Sequence, residues 1–267
     1  LWDDNIDVGL FGVAPDAAYS VAEKLRVMSF DFAANPGGSA VRLDYLVPVE
    51  QVATTIDALA RRHPVPSSVE IDNTPYQDAM ICTHGSRDAC CATFGFPLYR
   101  KLRARSTELS NLRVWRATHF GGHRFAPTMM TFPDGRSWGY LDEATGSAIL
   151  ERKTPVEPLG AAYRGWSGYS DAGLQLLEQE GFLRFGWSCL DYRQQGHISP
   201  VDDASGIRRA EIVAETPNGD RIELSGDILQ GDPVTAISSC GGEASPTPRS
   251  SVINIDVRVR TAVPLAG

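Results

Sequence analysis

Residues 40–47 alternate apolar and polar side chains as a half-buried strand does, while residues 16–27 and 49–62 place apolar side chains at helical spacing. From about residue 75 the order of elements sharpens. Residues 78–82 form a short apolar run that predicts a strand, and residues 85–88 predict a turn. Asp88 is suited to be the N-cap of a helix over 89–106, because a carboxylate there accepts hydrogen bonds from the exposed N–H groups of the first turn. Phe94, Leu98 and Leu102 recur at helical spacing and predict its buried stripe. A strand over 112–120, the turn Gly121-Gly122, a strand over 125–132, the turn Pro133-Asp134-Gly135 and a strand over 136–141 come next, then a helix around 171–179. Residues 208–215 and 221–225 flank Pro217-Asn218-Gly219-Asp220, a strong hairpin signal, and 252–260 alternates as a final strand. Residues 241–251, rich in Gly, Ser and Pro, read as a mobile connection.

Strand, helix, strand, hairpin, helix is the thioredoxin-like order, in which a mixed sheet is covered by helices. Pro127 stands where such folds place a cis proline, at the entry to the hairpin. The expected class is α/β (α+β): a thioredoxin-like mixed sheet with flanking helices, an N-terminal α/β region and a C-terminal β extension. The expected divisions are 1–74, 75–195 carrying a metal site, and 196–267. No internal repeat is evident.

Composition narrows the functional classes. With 267 residues, 42% apolar and 22% charged, the chain can bury the core of one large or two modest domains. A net charge of -8 argues against sequence-independent nucleic-acid binding, which needs a basic surface to displace counterions. Arg100, Lys101, Arg103 and Arg105 would spread around more than one helix face, which suits a solvated surface better than a docking patch for an acidic redox partner. No run reaches the ~18 to 20 apolar residues of a membrane span, so a soluble protein without membrane partners is expected. The chain begins at Leu1 rather than Met, which leaves a removed targeting segment open. Three of the five cysteines, Cys82, Cys90 and Cys91, fall within ten residues, unlike the framework of a small secreted disulfide fold. A reducing compartment, the cytoplasm, is the expectation.

The chemistry concentrates in Cys82-Thr-His-Gly-Ser-Arg-Asp-Ala-Cys-Cys91 and His119-Phe-Gly-Gly-His123-Arg-Phe-Ala-Pro127. Two thiols and two imidazoles are soft or borderline donors that suit Zn, Fe or Cu better than Mg or Ca. Cys82 ends a predicted strand, Cys91 lies in a first helical turn, and both histidines flank a Gly-Gly turn, so all four can meet at one end of the sheet. The helix N-terminus would lower the Cys91 pKa and favour a thiolate. Taken singly, a cysteine is usually a small buried hydrophobe and His119 a satisfied strand-end residue. Their joint occurrence favours a metal site.

These residues, with Gly85-Ser86-Arg87-Asp88, resemble the sucrase/ferredoxin-like family, whose members are thioredoxin-like 2Fe-2S ferredoxins with two Cys and two His ligands. Weaker matches are Gly12-Val13-Ala14-Pro15, Tyr163-Arg164-Gly165 and Ser239-Cys240-Gly241. The resemblance implies a 2Fe-2S cluster with Cys82 and Cys91 on one iron and His119 and His123 on the other. It implies an electron carrier between a donor reductase and an acceptor the sequence does not name. Two neutral ligands would raise the potential above that of plant-type ferredoxins, and an iron-bound imidazole could couple electron to proton transfer. Asp88 or Asp142 would orient the rings, and Arg87 and Arg124 would bring positive charge near the site, unless they are simply solvated. No credible pair of catalytic carboxylates supports the sucrase half of the family label.

Cys82-Thr83-His84 has the form of half a Rieske box, but no Cys-x-x-His follows, which makes His84 a neighbour of the site or a surface residue. Cys90 is expected to be packed or a spare thiol, and Cys189 and Cys240 structural. Two other functions compete. A structural zinc site on the same Cys2His2 set would add stability without redox chemistry. A thiol-disulfide oxidoreductase would use Cys90 and Cys91, but the usual Cys-x-x-Cys is absent.

Overall fold

The computed structural model describes residues 9–67, 69–201 and 206–262. An N-terminal sheet is formed by β1 (Lys24–Asp31), β2 (Val41–Pro48) and the short β3 (Glu70–Ile71), with α1 (Val52–Ala60) between β2 and β3. No helix forms over 16–27, where the spacing predicts one: turns occupy the first part of that span and β1 takes the last four residues. Its Met28 and Phe30 pack on Trp115 and Phe132, while Val27 packs beside Val52 and Leu59 of the α1 side. A strand covered on both faces loses the alternation that would reveal it.

The central sheet contains β4 (Gln77–Cys82), β5 (Leu112–Ala117), β6 (Met129–Phe132), β7 (Arg136–Trp138) and β8 (Tyr163–Trp166), in the order β5-β4-β6-β7-β8. β4 runs parallel to β5 and antiparallel to β6, and α2 (Ala89–Arg105) makes the crossover. This is the expected thioredoxin-like arrangement within a mixed α+β fold. The Ala126–Pro127 bond is cis, as expected, and so is Phe132–Pro133. α3 (Glu143–Glu151), unforeseen from the pattern, and α4 (Ala172–Phe185) cover the sheet.

The main core joins Ile81, Leu98, Leu102, Val114, Met129, Trp138, Ile149 and Phe182, each worth about 1.5–3 kcal/mol of burial for the larger aliphatic and aromatic side chains. The buried positions of α2 are Cys91, Gly95, Leu98 and Leu102; Phe94, expected among them, is 53% exposed. Gly95 takes its place because α2 runs so close to β4 that a Cβ there would sit 2.0 Å from the Cys82 carbonyl oxygen.

The C-terminal sheet has the order β12-β11-β10-β9, from β9 (Arg193–Ile198), β10 (Ile207–Glu215), β11 (Arg221–Ile237) and β12 (Ala244–Arg260). α4 joins it to the rest: Leu174 and Leu177 pack on Ala210, Ile212, Leu224 and Ile228, while Phe182 belongs to the main core. Most of residues 241–251 is strand rather than a mobile connection, since β12 begins at Ala244. As an edge strand with exposed faces, it tolerates Pro246 and Pro248, which read as loop signals. Among the described residues no helix is long and apolar enough to cross a membrane.

Candidate metal centre

Cys82 is the last residue of β4 and is fully buried. The chain leaves the sheet there with the Thr83 N–H on the Ala117 carbonyl at 3.0 Å, then turns through residues 84–88. Asp88 caps α2: its Oδ1 accepts from the Cys90 N–H at 3.0 Å, which sets the first turn and puts the Cys91 side chain inward at 1% exposure. Gly95, four residues on, lets that turn press against the end of β4.

On the neighbouring strand, β5 ends at Ala117 and His119 follows. Its backbone N–H donates to Nδ1 of His84 at 3.3 Å, so His84 steers the segment carrying His119. Gly121 and Gly122 take φ of +105° and +69°, values that side-chain-bearing residues rarely adopt, and the resulting reversal brings His123 back beside His119. His119 Nδ1 lies 3.8 Å from Cys82 Sγ and 4.0 Å from Cys91 Sγ. Its Nε2 lies 3.3 Å from His123 Nδ1, and His123 Nε2 lies 4.0 Å from Asp88 Oδ2. The donor atoms of Cys82, Cys91 and His119 all fall within 4.8 Å of one another, while His123, the fourth expected ligand, stands outside that group beside His119.

Burial, the nearby Cys82 thiol and the Asp88 charge push the Cys91 thiol up to about 12, the reverse of the lowering expected from the helix terminus. Burial outweighs the helix N-terminus here, so Cys91 becomes a thiolate when a cation displaces its proton. His119 is held below the ordinary histidine value by burial, then by His123, Arg87 and His84, which favours the neutral imidazole a metal requires. Two buried thiols and two imidazoles at one end of the sheet are a donor set that fits a soft or borderline metal group.

Asp88 is thus the carboxylate at His123, whereas Asp142 caps α3 through the Thr145 N–H at 2.7 Å. Arg124 lies over the Phe125 ring, its guanidinium carbon 4.5 Å from the centroid. Cys189 is buried and donates to the Gly181 carbonyl. Cys90 is not a spare thiol: it is disulfide-bonded to Cys240, whose N–H also donates to Asp88 Oδ2 at 2.9 Å. A pairing across 150 positions leaves no local pattern to read.

Residues 20–165, just over half of the chain, match the sucrase/ferredoxin-like family, and all four candidate ligands fall inside that span. The chain is 35% identical over 72 residues to Altered inheritance of mitochondria protein 32 of Meyerozyma guilliermondii, a stretch that is 25% of this chain and 26% of that protein. The chain therefore matches about a quarter of the length of that curated relative. Among solved structures it is similar to a thioredoxin-like [2Fe-2S] ferredoxin from Aquifex aeolicus, at 13% identity and a TM-score of 0.28 over 32% of this chain and 88% of the other.

Proposed function

The chain belongs to the sucrase/ferredoxin-like family, and from that membership we propose that it is an electron carrier holding a 2Fe-2S cluster on Cys82, Cys91, His119 and His123. The observation that carries the reading is the convergence of two buried thiols on His119 Nδ1, at 3.8 and 4.0 Å, with His123 Nδ1 3.3 Å from the Nε2 of that ring. When bound, such a cluster supplies a one-electron couple, at a potential that two neutral imidazoles raise above that of an all-thiolate centre.

The surrounding residues have separate tasks. Cys82 and Cys91 hold the buried side of the site and give up their protons on loading, which makes loading pH-dependent. His119 and His123 are half-buried and so hold the side nearer solvent, where a ring nitrogen can exchange a proton with water. Asp88 Oδ2, 4.0 Å from His123 Nε2, is placed to orient that ring. A donor reductase and a separate acceptor would exchange electrons at this exposed side, and the reducing cytoplasm is the compartment proposed.

One observation favours a second reading. Three donor atoms within 4.8 Å of one another also suit a single tetrahedral zinc ion. An ultraviolet and visible spectrum of anaerobically purified protein, with iron, sulfide and zinc assayed on the same sample, separates the two. Red-brown protein with equal iron and sulfide that bleaches on reduction is expected; colourless protein with stoichiometric zinc would replace the carrier by a structural zinc site.

A further inference from the structure

β11 and β12 outrun the rest of their sheet. β10 pairs with β11 only as far as Leu229, whereas β11 and β12 stay paired out to Ile237 and Ala244. Beyond Leu229 the two strands form a ribbon whose side chains are mostly exposed, Ile237 at 54%. An isolated two-stranded ribbon is marginally stable in water, so the position of its tip depends on what fastens it.

Two ties hold that tip, residues 238–243, at the N-terminus of α2. Cys240 is bonded to Cys90, and the Cys240 N–H donates to Asp88 Oδ2 at 2.9 Å. The same carboxylate caps α2 through the Cys90 N–H and stands 4.0 Å from His123 Nε2. One tie thus ends on the residue preceding Cys91, and the other on the group facing His123.

We propose that the Cys90–Cys240 disulfide is a second redox centre, a latch that holds the ribbon tip beside the metal centre when oxidised and frees it when reduced. The reductant is a protein or small-molecule dithiol. Its thiolate attacks Sγ of Cys240, the more exposed partner, forming a mixed disulfide and expelling Cys90 as a thiolate that takes up a proton. The reductant's second thiolate then attacks its own mixed-disulfide sulfur, closes the reductant's disulfide and releases Cys240, which is protonated in turn. Two electrons and two protons pass from the dithiol to the protein. Any effect of the latch on metal retention rests on the ligand set proposed above; the latch itself does not.

Hydrogen exchange of the full chain, read at 238–243 before and after treatment with reduced thioredoxin, tests the latch with or without a metal bound. Peptide mapping under non-reducing conditions accompanies it. The expected result is a Cys90–Cys240 peptide that disappears on reduction, with amide exchange at the tip rising at least tenfold. A Cys90→Ser/Cys240→Ser double variant should exchange fast before any reductant is added. Unlinked cysteines in air-oxidised protein, or tip exchange that reduction and the double variant leave unchanged, would overturn the latch. On metal-loaded protein, release of iron or zinc to a chelator should run several-fold faster in the double variant than in the oxidised parent. Equal release rates beside altered exchange would overturn the coupling to the metal centre, and metal-free protein with altered exchange would count against the carrier while supporting the latch.

Discussion

His119 has a different environment on each nitrogen, with thiols at Nδ1 and His123 at Nε2. Replacing either imidazole by a thiolate adds negative charge at the site, which disfavours reduction. His119→Cys or His123→Cys is therefore expected to keep a cluster while lowering its midpoint potential, as followed by a spectroscopic redox titration; an unchanged potential would remove that histidine from the ligand set. Gly95→Ala tests the scaffold beneath. Its Cβ would meet the Cys82 carbonyl at 2.0 Å, and since that obstacle is backbone, α2 must shift. A loss of about 1–3 kcal/mol is expected from overpacking of this kind, measured by urea denaturation, with weaker metal retention in the same variant. The thiols and histidines were legible in the sequence because each stands beside its own local signal: a strand end, an N-cap, a Gly-Gly reversal. Two features were not. The Cys90 partner is 150 positions away, and the raised Cys91 pKa follows from burial that only the packed fold creates.

Legibility among the elements followed how cleanly one face met water. α2 was read to within a residue, because Asp88 marks its start and Leu98 and Leu102 its inner face. The first four residues of β1, covered on both faces, carry helical spacing, and the distal part of β12, exposed on both, carries loop signals. α2 is also fixed from outside. Arg103 donates to both carboxylate oxygens of Asp16 at 2.8 and 3.0 Å, tying the segment before β1 to the helix. The Arg103 hydrogen bonds hold the Asp16 carboxyl below its ordinary value. A depressed folded-state pKa contributes stability that is complete above the unfolded value of about 3.9 and is lost as pH falls through the folded one. Asp16→Asn should therefore lower stability by about 1 kcal/mol at pH 7, with the gap closing below about pH 4, as urea midpoints across that range would reveal. A gap that stays constant as pH falls from 7 through the acid range until the carboxylate is protonated would mean that the side chain contributes by shape rather than by charge.

At the scale of the whole molecule, ionic contacts join the N-terminal sheet to the central one. Arg113 on β5 is 1% exposed and donates to Asp78 on β4 at 2.7 and 2.9 Å and to Asp44 on β2 at 2.7 Å. Arg42 reaches both carboxylates, Arg26 reaches Asp44, and the Trp115 indole donates to Asp78. Taking these charges out of water is costly, and their mutual attraction offsets that cost only while each keeps its partners. Arg113→Met would leave Asp78 and Asp44 buried with part of their compensation gone, at a cost of about 3–5 kcal/mol. Because β4 and β5 end at Cys82 and just before His119, the loss should spread to the candidate metal centre at the far end of the same strands. Thermal unfolding of the Arg113→Met protein is expected to begin in the contact between the two sheets, with hydrogen exchange in β2 accelerating before that in β4. A double variant with Asp78→Asn beside Arg113→Met removes the excess negative charge while Arg42 and Arg26 keep Asp44, and should recover much of the loss. Recovery would assign the penalty to uncompensated charge, whereas no recovery would assign it to the space and hydrogen bonds that the guanidinium fills.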